Sequence, residues 1–374
     1  MRNFKAAFLV PAHNEEKVIA KTLESLLKLT SKENIFVVND GSEDNTRKIA
    51  EGYTKNVLNL YPNLGKGEAM NTAIKHFKLV KKYEFLMPID ADTKVDSNFL
   101  KEVSKIFQND KKQEIACVAG RVKGMKFNYL TAYRIWEYEV GQSVHKNAQS
   151  SLNAITVCPG PATIYRSRIF KQVEIPAGTL TEDMDLTFLI HRKNLGKIKF
   201  CSTASVYTQD PKNIKDFVKQ IDRWYTGLWQ CVKKHNLPWG SQMLDAEVAF
   251  LGVEGLYNGI LTAIFLGVLP IILIKNPSLL ALPLLIDLLF FVIPTLSYTA
   301  AKNNYWSIFK YIPQFYLIRF ISSLVFLKSF IKVVLGIDLG MNWFKASRYR
   351  AEIEMYENQA IFGKLLLTIK NLRS

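Results

Sequence analysis

The first 122 residues repeat one pattern: a short apolar run, a polar cluster, then a stretch of helical spacing. AAFLV (6–10), IFVV (35–38), VLNL (57–60), FLMPI (85–89) and IACVAG (115–120) read as strands, apolar save for Asn59, as strands covered on both faces are. Between them, Val18, Ile19, Leu23, Leu26 and Leu27 follow helical spacing over 15–29, and 66–79 and 97–108 read as further helices. Strands alternating with helices predict an open, mostly parallel, Rossmann-like α/β sheet. Such sheets bind ligands beyond the carboxyl ends of their strands. The clusters PAHNEE, NDGSEDNT and DAD fall at those ends.

The rest of the chain changes character. Residues 123–235 are mixed, with helical patterns near 129–149 and 212–235 and a break at CPGP (158–161). Two apolar runs follow, 255–274 without a charge and 278–299 with one acid, Asp287, joined by KNP. Each has the length a helix needs to cross a bilayer; a pair of buried core helices is the plainer alternative. A third apolar stretch, 311–335, is interrupted by Arg319, Lys328 and Lys332 and reads as interfacial or re-entrant. The apolar run at the N-terminus is too short for a signal peptide, which predicts a cytosolic start. Two spans then return the basic tail to the cytosol, as the positive-inside rule prefers. The expected organisation is a cytosolic domain over 1–235, a membrane region over 236–345 and a basic cytosolic tail over 346–374.

The formal net charge of +16 admits three anionic partners: nucleic acid, a membrane surface or a phosphorylated substrate. No zinc-finger spacing or RNA-binding signature is present, so nucleic acid is set aside. Cys117, Cys158, Cys201 and Cys231 are far apart in sequence and fit reduced thiols in a cytosolic compartment.

Several polar clusters could carry chemistry. Asp90 and Asp92 follow a buried strand, and paired hard oxygens suit Mg²⁺ or Mn²⁺ with phosphate oxygens and water as further ligands; a solvated acidic loop is the plain alternative. Asp40 ends the second strand, where an acid can accept from a base or ribose, or form an Asx-turn. Lys66 lies between two glycines at a helix start, where backbone N–H groups and a cation meet phosphate. TEDMD (181–185) begins a helix; its acids either stabilise that N-terminus or supply a general base. Gln220, Arg223 and Trp224 in QIDRW share one helical face, suited to an anionic and planar ligand or to a headgroup anchor.

The order of these clusters resembles the family 2 glycosyltransferases. PAHNE, NDGS, GKG, DAD, GP…YR, TEDMDLT, VYTQDP and QIDRW…G follow one another over residues 5–235. More narrowly, the chain looks like the membrane-embedded processive branch that includes cellulose, chitin, hyaluronan and poly-N-acetylglucosamine synthases. The resemblance implies a GT-A fold and a metal-dependent inverting transfer from a UDP-sugar, with UDP-N-acetylglucosamine or UDP-glucose favoured. It implies nucleotide-sugar contacts from Pro11, His13, Asn14, Glu15, Asp40, Gly41, Lys66 and Asp90, with Asp40 holding the uracil. It assigns the metal to Asp92 and Asp90, the general base to Asp183 beside Glu182, and the diphosphate and acceptor to Gly160, Gln220, Arg223 and Trp224.

The chain departs from that branch in lacking N-terminal spans, and two C-terminal spans make a thin wall for a polysaccharide channel. A homo-oligomer or partner subunit could complete one. NWFKASRYR (342–350) loosely resembles a post-membrane segment of that branch, or is a basic lipid-facing tail. Other readings stay open: transfer of one sugar to a lipid acceptor such as a polyprenyl phosphate or glycerolipid, and a non-catalytic sugar-nucleotide-binding membrane subunit.

Overall fold

The computed structural model describes residues 4–337; the expected basic tail and the 342–350 stretch lie outside the described residues. Strands β1 (Ala6–Ala12), β2 (Ile35–Asp40), β3 (Val57–Leu60), β4 (Phe85–Pro88), β5 (Lys94–Val95), β6 (Ile115–Gly124), β7 (Thr163–Arg166) and β8 (Lys197–Thr208) form one eight-stranded sheet. Its order is β3-β2-β1-β4-β7-β6-β8-β5. β3, β2, β1 and β4 run parallel, with Val10 opposite Val37 and Phe8 opposite Met87. β6 and β8 are also parallel, while β7 runs antiparallel to both of its neighbours. The alternation in the sequence is therefore a mostly parallel sheet, as expected. β7 and β8 arise in the stretch read only as mixed.

Helices α1 (Ile19–Leu27), α2 (Thr46–Tyr53), α3 (Lys66–His76), α4 (Leu79–Lys82) and α5 (Phe99–Asn109) connect the first strands. Successive residues of β1 point to opposite faces. Phe8 and Val10 join Leu23, Val37 and Phe99 in one core, and Leu9 joins Val38, Met70 and Leu86 in the other. Both faces are covered, which is why these strands read as continuous apolar runs. Cys117 and Cys158, distant in sequence, approach to 3.7 Å between sulfurs in the second core.

Four helices complete the charged part: α6 (Tyr129–Val140), α7 (Lys146–Leu152), α8 (Glu182–Arg192) and α9 (Ile214–Lys234). The apolar part consists of α10 (Met243–Lys275), α11 (Ala281–Asp287), α12 (Ile293–Asn303) and α13 (Ile312–Val334). Met243–Lys275 and Ser278–Asn303 are long and apolar enough to cross a bilayer, yet only 11% of each apolar window is buried. Core helices of a soluble protein would be mostly covered, so these faces need lipid or a partner against them. The 311–335 stretch is one unbroken helix that buries Phe315, Ile318, Val325 and Ser329. Its Arg319 meets Asp287 in a two-pronged ion pair at 2.7 and 3.0 Å. Asp287 of the second apolar stretch and Arg319 of the third thus answer each other.

The two parts are joined by packing and by charge. Leu130 and Trp136 of α6, Phe217 of α9, Leu296 of α12 and Phe315 of α13 share a core. At the entrance to α10, Asp245 is buried and accepts from Arg192 at 2.6 and 2.8 Å and from Gly240 N–H at 2.9 Å.

Candidate active site

The site is built where the carboxyl ends of β1, β2 and β4 meet the start of α8. Glu182, Asp183 and Asp185 all lie in the first turn of α8, where negative charge suits the exposed N–H groups. Their side chains diverge. Asp183 accepts from the Gly160 N–H at 3.1 Å and from the Met184 N–H at 2.8 Å. Burial raises its pKa above the ordinary aspartate value, the Glu182 charge adds to this, and Lys66 with the two N–H donors partly offsets it. Glu182 instead reaches Lys66, 2.6 Å away. Asp185 is buried and binds His235 and Lys234, both at 2.7 Å, which fastens the start of α8 to the end of α9.

Lys66 opens α3, and its ammonium bridges Glu182 and Asp90 at 2.6 Å each. Burial alone would lower its pKa, but the two carboxylates more than compensate and hold it above the usual lysine range. The turn before Lys66 hangs from Asp40, whose two carboxylate oxygens accept from the Leu64 and Gly65 N–H groups at 2.8 and 2.9 Å. The Asp40 carbonyl accepts from Asn63 at 2.8 Å and lies 2.7 Å from His13 Nδ1. Gly41 follows with φ +66°, and a Cβ there would stand 2.9 Å from the Asn63 nitrogen, so the close approach of the two loops requires glycine. Asn14 also has a positive φ and ties the first loop to the second through Ser42 and Glu43, at 2.9 and 2.8 Å. The Glu15 N–H donates to Thr46 at 2.7 Å. Pro11 lies within β1, paired with Val38. The structure brings all these residues to one rim.

Asp90 and Asp92 occupy a tight turn closed by the Thr93 N–H on the Asp90 carbonyl at 3.0 Å. Among the described residues, no cluster of three His, Cys, Asp or Glu side chains forms a preassembled metal cage. Two hard carboxylates beside an open crevice fit a cation such as Mg²⁺ or Mn²⁺, which keeps waters and takes diphosphate oxygens. They do not fit a metal that needs a closed protein cage.

Gln220, Arg223 and Trp224 lie on α9, and all three are half-buried. The helix starts at Asn213, whose side chain accepts from the Asp216 N–H at 2.9 Å. Gly227 permits α9 to pass close over Thr181, since a Cβ there would collide with the threonine side chain. Arg223 donates to the Leu180 carbonyl at 3.1 Å, one residue before the Thr-Glu-Asp turn. Of these three, Arg223 thus lies against the start of α8, while Gln220 and Trp224 meet α6.

Three further residues belong here that the sequence reading passed over. Arg134 of α6 is buried, donates to Gln220 Oε1 at 2.7 Å and pairs with Glu137. Its guanidinium lies 4.6 Å from the ring centres of both Phe217 and Trp224. Asp210, in the TQDP stretch, accepts from Tyr138 at 2.8 Å; burial pushes its carboxyl up to about 6, with Arg134 opposing the rise. Lys146 is buried near Cys158 and Asp183, donates to the Val157 carbonyl at 2.9 Å, and is lowered to about 8 by burial. For Asp210 the available sequence signal was its place in VYTQDP; Arg134 and Lys146 carried none.

Residues 7–174 match the model of a family described as Glycosyl transferase family 2. A "Poly-beta-1,6-N-acetyl-D-glucosamine synthase" of Staphylococcus epidermidis is 30% identical over 227 residues, covering 59% of this chain and 54% of that protein. One of the same name from Staphylococcus aureus is 28% identical over 226 residues, covering 59% and 53%. The chain thus spans about half the length of these relatives. A solved mannosyltransferase from Pyrobaculum calidifontis, in complex with GDP-Man and Mn²⁺, superposes with a TM-score of 0.63 at 15% identity, over 89% of this chain and 88% of that one. That likeness shows the shared fold.

Proposed function

We propose that this chain, whose residues 7–174 match the model of glycosyl transferase family 2, extends a β-linked glycan from a UDP-sugar at the cytosolic face of a membrane. The observation that carries this reading is the convergence of Asp183, Glu182, Lys66, Asp90 and Gly160 beside the Gln220–Trp224 face of α9. The names of the staphylococcal relatives favour N-acetylglucosamine as the sugar. The two exposed apolar helices support placement in a bilayer.

The chemistry follows from the charges. An acceptor hydroxyl loses its proton to the Asp183 carboxylate while its oxygen bonds to the anomeric carbon. The bond from that carbon to the diphosphate oxygen breaks in the same step, UDP leaves, and the configuration inverts. A raised pKa makes Asp183 a better proton acceptor than an ordinary aspartate. Lys66, fixed as a cation, offers positive charge to the departing diphosphate, and Arg223 lies on the neighbouring helix face. Mg²⁺ or Mn²⁺ held by Asp92 and Asp90 would neutralise diphosphate charge when bound. Trp224 offers an apolar edge to the acceptor sugar, with its ring and Gln220 set by Arg134.

The test is transfer by purified protein from a panel of radiolabelled UDP-sugars with Mg²⁺ or Mn²⁺, with products sized. A ladder made from one donor supports glycan extension and names the sugar. One lipid-soluble product of fixed size contradicts it.

A further inference from the structure

Among the described residues, four lysine and arginine side chains are buried: Arg121, Arg134, Lys146 and Arg166. The three arginines each pair with a carboxylate, Glu139, Glu137 and Asp110 respectively. Lys146 is the exception. It is 7% exposed, forms no ion pair with a described residue, and directs its ammonium at one backbone carbonyl, that of Val157, at 2.9 Å. A buried cation without a counter-ion is strongly unfavourable, and holding a carbonyl does not require one. Elsewhere in the chain neutral amides hold buried backbone: Asn71 bonds both polar groups of Ile175, and Gln142 those of Val122. A charge at position 146 therefore needs another reason.

Val157 begins a strap, residues 157–160, that ends at the proposed base. The Cys158 N–H donates to the Thr187 hydroxyl at 2.9 Å, which donates on to the Asp183 carbonyl at 2.6 Å. The Pro159 carbonyl accepts from the Thr163 hydroxyl at 2.8 Å, and the Gly160 N–H reaches the Asp183 carboxylate at 3.1 Å. Lys146 is the one cation among the groups that hold this strap. Its charge also reaches Asp183: burial lowers Lys146 to about 8, while Cys158 and Asp183 favour its charged form. The other titratable groups around this point are Lys66 on α3, Cys117 on β6, Tyr165 on β7 and Glu182 on α8. Burial raises the Cys117 thiol and the Tyr165 hydroxyl well above their ordinary values, which keeps both neutral. Three acids, Asp90, Glu182 and Asp183, thus share one nearby cation, Lys66, which bonds only the first two. Lys146 adds a second positive charge on the side of the third.

We propose that Lys146 is a positioning residue for sugar transfer: its ammonium anchors the strap that carries Gly160 to Asp183, and its charge favours the carboxylate that must accept the proton. The inference rests on the reading of Asp183 as the base and adds a buried residue that acts through it. A base works only when it is ionised and held in place, and Lys146 serves both needs from one atom.

The full chain in phosphatidylcholine nanodiscs tests this by transfer from the UDP-sugar it uses, measured across pH, with the melting temperature of each variant as the control. Lys146→Gln retains a donor for the Val157 carbonyl but no charge, Lys146→Met retains neither, and Lys146→Arg retains both. Loss of the cation favours protonated Asp183, so the acid limb of kcat/KM is expected to move to higher pH in Lys146→Gln and Lys146→Met. Rates below the limb are expected to fall about tenfold, the loss shrinking as pH rises, with KM for the UDP-sugar within about threefold of wild type. Lys146→Arg is expected to return the limb towards wild type. An equal loss at every pH in Lys146→Met, with Lys146→Gln like wild type, makes Lys146 a pin for the strap alone and overturns the proposal. A limb unmoved in both variants overturns it too, and Lys146→Gln alone decides if either of the others fails to fold. These results leave sugar transfer standing. Undiminished transfer by Asp183→Asn, or no transfer by wild type from any UDP-sugar, overturns the functional reading and this inference together.

Discussion

Replacing Arg134 by lysine keeps a buried positive charge but removes the planar fork that organises the acceptor face. The guanidinium is 1% exposed in its side chain, donates to Gln220 at 2.7 Å, and lies between the Phe217 and Trp224 rings at 4.6 Å from each. A charge-assisted hydrogen bond is worth about 1.5–3 kcal/mol, and a desolvated cation–π contact about 2 kcal/mol. Lysine can keep the pair with Glu137 but cannot reach Gln220 and both rings at once. If about 1.5–3 kcal/mol of this is lost from the productive acceptor geometry, kcat/KM for glycan transfer falls about 10- to 100-fold. Hydrolysis of the UDP-sugar, which needs no acceptor sugar, is expected to change by less than about threefold. The assay measures transferred and hydrolysed sugar in one reaction, with thermal melting as the control for folding. Parallel loss of both activities in a folded protein, or unchanged transfer, refutes Arg134 as the residue that positions the acceptor face.

The remaining predictions concern charge. The acid limb of kcat/KM is expected above the ordinary aspartate value, because burial and then Glu182 raise the pKa of the proposed base, Asp183. Glu182→Gln removes a like charge and moves that limb to lower pH; Lys66→Met removes the opposing cation and moves it higher. A pH profile checks both signs. Asp92→Ala is expected to raise the Mg²⁺ or Mn²⁺ concentration needed for UDP binding by about tenfold or more. A titration that shows unchanged metal dependence removes Asp92 from the metal site.

Strands β1, β2 and β4 were legible because both their faces are buried, which leaves uninterrupted apolar runs such as AAFLV and IFVV. β8 was hidden because its middle is irregular: the register with β6 shifts between Gly120 and Arg121, and Ser202 and Thr203 are exposed. The short acidic motifs indicated where the site would be, since they end strands. They did not separate the acids of TEDMD. That distinction needs the fold, which turns Asp183 to Gly160, Glu182 to Lys66 and Asp185 to His235. The Asp40 carboxylate also anchors the 64–65 backbone, a role its motif did not reveal. Arg134 was invisible because its partners lie 86 and 90 positions along the chain, on a different helix. Likewise the partner of Asp287, Arg319, lies 32 positions along the chain on α13.

The proposed mechanism makes Asp183 the base that activates the acceptor. Its most direct test is the transfer rate of Asp183→Asn, measured on protein that calorimetry shows to bind UDP as wild type does. Asparagine keeps the shape and one of the two N–H contacts, to Gly160 or to Met184, but cannot take a proton. Transfer is predicted to fall by about 10²–10⁴-fold, the range for loss of a general base. A rate within about threefold of wild type would contradict the mechanism.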